Sequence, residues 1–256
     1  MIWKKKRTRQ KLRKTVNLLD INILKRKRNK LHLLPENKLI LSPIVANNKM
    51  NRERNASGIN SYEKEFKFKP EKFLTDHINK YGKVKWLDLC CGQGKALVQC
   101  AEFLEKNNFQ NKAQLKGIDL IDYFIPVPTK INCLEFEVAS LINWTPKEKY
   151  DLITCVHGIH YLGDKLLVLS KIFGAISKEG CFIGNFDLKS IVISVDPKNE
   201  KLKNIFKVNG INYNGRTKII SCKGTKKINF GLKYLGADEN AGPNYTGQEA
   251  VNSHYE

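Results

Sequence analysis

The stretch WLDLCCGQGKAL, residues 86–97, decides the fold. Large apolar residues and Asp88 run straight into Cys90, Cys91, Gly92 and Gly94, so a strand that reads as buried ends on an acid and continues in small or flexible residues. In an open parallel sheet, ligands bind outside the carboxyl ends of the strands, where a strand turns into its helix. Small residues in that turn let backbone N–H groups and the next helix N-terminus come close to a ligand. A nucleotide-like ligand is therefore expected here.

Two familiar phosphate-binding loops do not fit. A P-loop needs GxxxxGK[ST]; five positions before Gly94 stands Leu89, and Ala96 follows Lys95, so the pattern fails twice. A dinucleotide fingerprint GxGxxG starting at Gly92 finds Gly94 and then Leu97, which is too large for the close packing that a pyrophosphate-bearing turn requires.

Working outward, helices and strands alternate. Residues 70–80 carry Pro70 at a helix start, Phe73, Leu74 and Ile78 at helical spacing, and Gly82 as a stop. KVKWLDL is a strand, and KALVQCAEFLEKN is an amphipathic helix with Leu97, Ala101 and Leu104 on one stripe. QLKGIDL, INCLEFEV, YDLITCV and GCFIGNFDL read as four further strands, with LLVLSKIFGAIS as a helix before the last. Such alternation implies βαβ units and a parallel sheet covered on both faces. KLKNIFKV then reads as a helix, and TKIISCK with INFGLKYL as an antiparallel hairpin. The expected fold is α/β: a doubly wound, seven-stranded, mostly parallel sheet with an antiparallel C-terminal hairpin strand.

An acid at a strand end followed by small residues and GxG, as in DLCCGQG, resembles motif I of the class I S-adenosylmethionine-dependent methyltransferases. Further matches follow in order: GIDL, FEVAS, YDLITCVHGIHYLGD and KEGCFIGNFD. The resemblance covers residues 57–236 and implies a Rossmann-like fold with S-adenosyl-L-methionine as cofactor. It implies that Asp88 receives the methionine ammonium, directly or through water, and that Gly92 and Gly94 let the loop lie against the methionine and ribose. Asp119 would accept both ribose hydroxyls, a role acids at this strand end play in nucleotide folds, and Leu120 would flank the adenine. Cys90 stands where the family usually has glycine. Ala139 and Ser140 stand where it often has an acid for the adenine amino group, leaving Ser140 as the remaining contact. Taken alone, either acid also fits a structural role, Asp88 as a helix cap and Asp119 as a turn residue.

The family meets its acceptor at the loop after the fourth strand, here CVHGIHYLGD. His157, His160 and Tyr161 are the candidate catalytic residues; a histidine suits removal of a proton from a phenol, a carboxyl-bearing acceptor or an amine, while a structural histidine is the plainer alternative. HxxH lacks a third ligand and no HExxH occurs, so no metal is expected. The [DNS]PP[YF] loop of amino-group DNA methyltransferases is absent and no cysteine follows a proline, which weakens nucleic-acid base modification.

Charge is unevenly spread. Residues 1–56 hold 17 Lys/Arg against 3 Asp/Glu, and the remainder 28 against 22. This extension reads as a disordered basic tail, as an arm making weak contacts with nucleic acid or an anionic surface, or, with methionine only at positions 1 and 50, as upstream sequence before a start at Met50. Seven cysteines without a CxxC pair, mostly among apolar residues, suggest a reducing compartment. No run approaches the roughly 18 apolar residues of a membrane span, so a cytoplasmic location is expected. Residues 57–236 form the expected methyltransferase domain. Residues 237–256 form a tail that either folds over the acceptor pocket through Tyr245, His254 and Tyr255 or hangs loose. The expected activity is methyl transfer to an O or N atom of a small-molecule acceptor; the alternatives are an RNA or protein methyltransferase using the basic arm and a non-catalytic adenosyl-ligand-binding module.

Overall fold

Strand β1 (Val84–Leu89) is buried at nearly every position, as expected for a strand covered on both faces. Trp86 packs into one apolar cluster, with Leu74 and Leu97. Leu87 and Leu89 pack into the other, with Leu169 and Phe173. Successive side chains of a strand point to opposite faces, so one hexapeptide seats helices on both sides of the sheet. The computed structural model describes residues 32–45 and 53–256. Of the disordered or nucleic-acid-binding arm expected over residues 1–56, residues 1–31 and 46–52 lie outside the described residues, as does the expected start at Met50, while 32–45 and 53–56 are described.

Two short helices, α1 (Glu36–Leu39) and α2 (Tyr62–Phe66), precede α3 (Pro70–Tyr81). Pro70 opens α3 at a position where its missing N–H costs nothing, and Gly82 closes it in the left-handed region at φ +83°. After β1 come α4 (Lys95–Lys106), β2 (Ala113–Asp119), β3 (Leu134–Val138) and β4 (Tyr150–Cys155). They are followed by α5 (Lys165–Ala175), capped by the Asp164 carboxylate, which accepts from Leu167 N at 3.0 Å. The chain continues through β5 (Ile176–Asn185), β6 (Ile191–Ile193), α6 (Glu200–Val208), β7 (Ile211–Asn214), β8 (Ile219–Lys223), β9 (Tyr234–Asp238) and β10 (Asn252–Tyr255).

Seven strands form the main sheet in the order β3-β2-β1-β4-β5-β8-β7. The first five are parallel, and β8 runs antiparallel between β5 and β7. The expected doubly wound α/β architecture with an antiparallel terminal hairpin is therefore present. The chain steps outward from β1 to β3 and then restarts at β4 on the other side, creating the switch point at which such sheets bind ligands.

The hairpin itself differs from expectation. Strand β8 pairs with β7, which precedes it, and not with INFGLKYL; Tyr234 and Leu235 from that stretch open β9 in a second sheet of order β6-β10-β9. The cause is local. Asn214 and Gly215 form a turn in which Asn214 Oδ1 accepts from Arg216 N at 2.9 Å and Thr217 N at 3.1 Å, reversing the chain between β7 and β8.

The small sheet holds the C-terminal strand. Leu34 exchanges backbone hydrogen bonds with Ala237 at 2.8 and 3.0 Å, and Leu39 is buried with Ala237 and Val251. Lys165, fully buried, donates to Leu162 O, Val251 O and Ser253 Oγ at 2.7–2.9 Å, tying the C-terminal strand to the loop after β4. Burial pushes this ammonium down to about 7. No helix among the described residues is long and apolar enough to cross a membrane.

Candidate active site

A cavity of about 330 Å³ opens at the carboxyl ends of β1, β2 and β4. Its wall carries Cys90, Cys91 and Gly92 from the first loop, Asp119, Leu120 and Ile121 from the second, and Val156, His157, Gly158 and Tyr161 from the fourth.

The first loop turns through three residues in the left-handed region: Cys90 at φ +54°, Gly92 at +60° and Gly94 at +73°. Gly92 N donates to Asp119 Oδ2 at 2.8 Å, and Ile121 N reaches Oδ1 at 3.2 Å. These bonds lock the two loops together and orient the carboxylate at the rim. Gly94 serves packing, because a Cβ there would lie 2.2 Å from the Phe136 ring of β3.

Asp88 is 1% exposed and does not reach the wall. Its Oδ2 accepts from the Tyr62 hydroxyl at 2.6 Å and its Oδ1 from Thr154 Oγ1 at 2.5 Å; Thr154 in turn accepts from Trp86 Nε1 at 2.9 Å. Burial raises the carboxyl to about 7, against the opposing pull of both hydroxyl donors and the Arg54 charge. Tyr62 stands on the cavity wall, so Asp88 is linked to the cavity through that residue. The phenol itself stays neutral, since burial and the neighbouring acid raise it.

In the β4 loop, His157 sits in the left-handed region at φ +58°. Its Nε2 lies 3.4 Å from Glu65 Oε2, its Nδ1 lies 3.4 Å from the Tyr245 hydroxyl, and its backbone N donates to Asn185 Oδ1 at 3.2 Å. Asn185 Nδ2 donates to Glu65 Oε1 at 2.7 Å, and Arg54 lies 3.9 Å from Oε2. The bond to His157, with help from Asn185 and Arg54, holds the Glu65 carboxyl down at about 2. A histidine oriented by an anion and facing a cavity is equipped to take a proton.

His160 is different. It is 1% exposed and off the wall, and burial drives its imidazole down to about 3, so it remains neutral. Burial also raises the Tyr161 hydroxyl. Gly94, Ala139 and Ser140 are off this wall as well; Ala139 and Ser140 border a separate open groove with Lys116 and Trp144. Thus Cys90, Gly92, Asp119, Leu120, His157 and Tyr161 come together on one wall, while Asp88 backs it through Tyr62. Among the described residues no cluster of three or more His, Cys, Asp or Glu side chains is arranged to hold a metal ion.

Sequence reasoning missed Arg54, Tyr62, Glu65, Thr154 and Asn185. Arg54 fell inside the segment read as a basic extension. Tyr62 and Glu65 lie on α2, whose one local signal is Ser61, a cap accepting from Lys64 N at 3.1 Å.

No protein-family model matches the chain, and no curated protein matches it. Among solved structures it is similar to the plantazolicin methyltransferase BpumL in complex with SAH (22% identity, TM-score 0.36, 47% of each chain covered). Another is the [4+2]-cyclase SpnF (13% identity, TM-score 0.33, 45% of this chain and 44% of that one). A third is PKMT2 from Rickettsia typhi in complex with AdoHcy (20% identity, TM-score 0.35, 50% and 24%). The chain spans less than half the length of each of these proteins.

Proposed function

We propose that the chain is an S-adenosylmethionine-dependent methyltransferase that methylates an O or N atom of a small-molecule acceptor. The observation that carries this reading is Asp119, a carboxylate fixed by two backbone N–H groups at the rim of the switch-point cavity, beside apolar Leu120 and Ile121. A carboxylate there suits a ribose diol and repels a phosphate. The cavity's volume of about 330 Å³ lies at the lower end of the range of small-molecule sites.

The remaining residues fit the same ligand. Leu120 and Ile121 offer an apolar face for the adenine. Cys90 and Gly92 let the loop backbone approach the ribose and methionine, and Tyr62, backed by Asp88, offers an oxygen to the ammonium. Arg54 on the same wall offers a cation to the carboxylate. Bound S-adenosylmethionine supplies a methyl group on a positively charged sulfur that is already a good leaving group. The chain must then orient the acceptor, an effect worth about 7–11 kcal/mol of barrier when geometry is ideal, and remove its proton, worth on the order of 10²–10⁴ in rate. His157 is the base in this reading. Residues 237–256 form the acceptor side, with Tyr245 beside His157 and Thr246 and Gln248 on the wall.

The test is transfer of labelled methyl from S-adenosylmethionine to a panel of phenols, carboxylic acids and amines. A labelled acceptor supports the assignment. Cofactor binding with no transfer to any panel member favours a non-catalytic binding module instead.

A further inference from the structure

We propose that His157 takes the acceptor's proton on Nδ1, and that Glu65 is the positioning residue that keeps this nitrogen unprotonated by holding the proton of the ring on Nε2. The proposal deepens the methyl-transfer reading and rests on it for the identity of the proton donor.

The neutral ring carries one proton, and its position is set by what each nitrogen faces. Nε2 faces Glu65 Oε2 at 3.4 Å. An ionised carboxylate only accepts, so Nε2 must be the N–H. Nδ1 faces the Tyr245 hydroxyl at 3.4 Å, and a phenol can donate to a lone pair as readily as accept. Distances of this length are common before substrate binds and tighten in the reactive complex.

Glu65 is held from behind. The His157 backbone N–H requires an oxygen and receives Asn185 Oδ1 at 3.2 Å, which turns the Asn185 amide nitrogen toward Glu65 Oε1 at 2.7 Å. Asn185 is fully buried at the end of β5. Reversing its amide would set N–H against N–H on one side and oxygen against carboxylate on the other. Backbone, amide, carboxylate and imidazole therefore form a closed circuit with one permitted arrangement of donors.

Tyr245 is 42% exposed and belongs to the tail, making it the most displaceable partner of the ring. An acceptor bearing an O–H or a protonated nitrogen reaches Nδ1 by replacing that hydroxyl. As its lone pair forms the bond to methyl carbon, the C–S bond breaks with its pair returning to sulfur. The acceptor's proton moves to Nδ1, and the imidazolium so formed is balanced by the Glu65 carboxylate.

The test is long-range ¹H–¹⁵N spectroscopy of the full chain with ¹⁵N-labelled histidine, at a pH where the ring is neutral. Wild type and Tyr245→Phe are expected to show His157 protonated on Nε2. Glu65→Gln is expected to reverse this: the Asn185 amide N–H keeps the new carbonyl oxygen, so the new NH₂ faces Nε2, which must then accept. Glu65→Ala is expected to show a mixture of both forms. A wild-type ring protonated on Nδ1, or one unchanged in both Glu65 variants, overturns the proposal. Calorimetry with S-adenosylhomocysteine on the same samples separates the two readings. Failure of that ligand to bind removes the methyl-transfer assignment and the proton donor with it, whereas binding with the wrong ring form removes the role of Glu65 alone.

Discussion

The Tyr62 hydroxyl donates to Asp88 Oδ2 across 2.6 Å, and this contact puts a neutral phenol in front of a carboxyl that burial raises to about 7. Tyr62→Phe leaves that oxygen without its donor in a buried place, and such a loss costs about 1–3 kcal/mol. Denaturant unfolding should show a decrease of that size at neutral pH. Calorimetry should show weaker S-adenosylhomocysteine binding, because Tyr62 lines the cavity.

The raised carboxyl also gives stability a pH dependence of known sign. Asp88 titrates near 3.9 in an unfolded chain and about 7 in the folded one, so the folded state holds the proton more tightly between those values. Its stabilising contribution is fully present below about 4 and is lost as pH rises through about 7. Relative to Asp88→Asn, the wild type should lose up to about 1.4 kcal/mol of stability per pH unit across this window. Unfolding curves at pH 5 and pH 8 measure the difference, and a flat difference counts against the buried, protonated acid.

His160 acts in the opposite direction. Its imidazole is pushed from an ordinary 6.5 to about 3, so its contribution is present above about 6.5 and is lost as pH falls through about 3. His160→Leu should remove this acid sensitivity, and the stability gap between variant and wild type should shift toward the variant as pH drops from 6.5 to 4. Because Asp88 and His160 pull against each other in the same window, only comparison with the single variants separates them.

Gly94 combines φ +73° with a ring 2.2 Å from where a Cβ would sit. Gly94→Ala must move Phe136 or the start of α4, and overpacking of this kind costs about 1–3 kcal/mol. Phe136→Leu in the same chain should recover part of the loss. The thermal midpoint of the double variant should lie above that of Gly94→Ala alone.

The legible parts of the molecule were those whose cause is local. Asp119 and the Cys90–Gly92 turn could be read because a strand end and a left-handed turn leave their marks within a few residues. Tyr62 and Glu65 could not, since their roles arise from contacts with Asp88, His157 and Asn185 at separations of 26 residues or more, which leave no periodic trace, and Arg54 joins them through Glu65. Asp88 at the end of β1 and His160 in the loop after β4 stand where a cofactor contact and a catalytic histidine are expected, but burial, a tertiary property, keeps both off the cavity wall. The hairpin was misread for a simpler reason. Asn214-Gly215 is itself a strong turn signal, and it would have paired β8 backward with β7.

Calorimetric titration of S-adenosylmethionine and S-adenosylhomocysteine into wild type, Asp119→Ala and Asp119→Asn decides whether the Asp119 carboxylate grips a ribose diol. Both ligands should bind the wild type, and Asp119→Ala should bind at least about tenfold more weakly, a difference of some 1.4 kcal/mol. Asp119→Asn keeps one oxygen for the loop and should fall between the two. Equal affinity in wild type and Asp119→Ala, or no binding of either ligand by the wild type, would contradict the assignment.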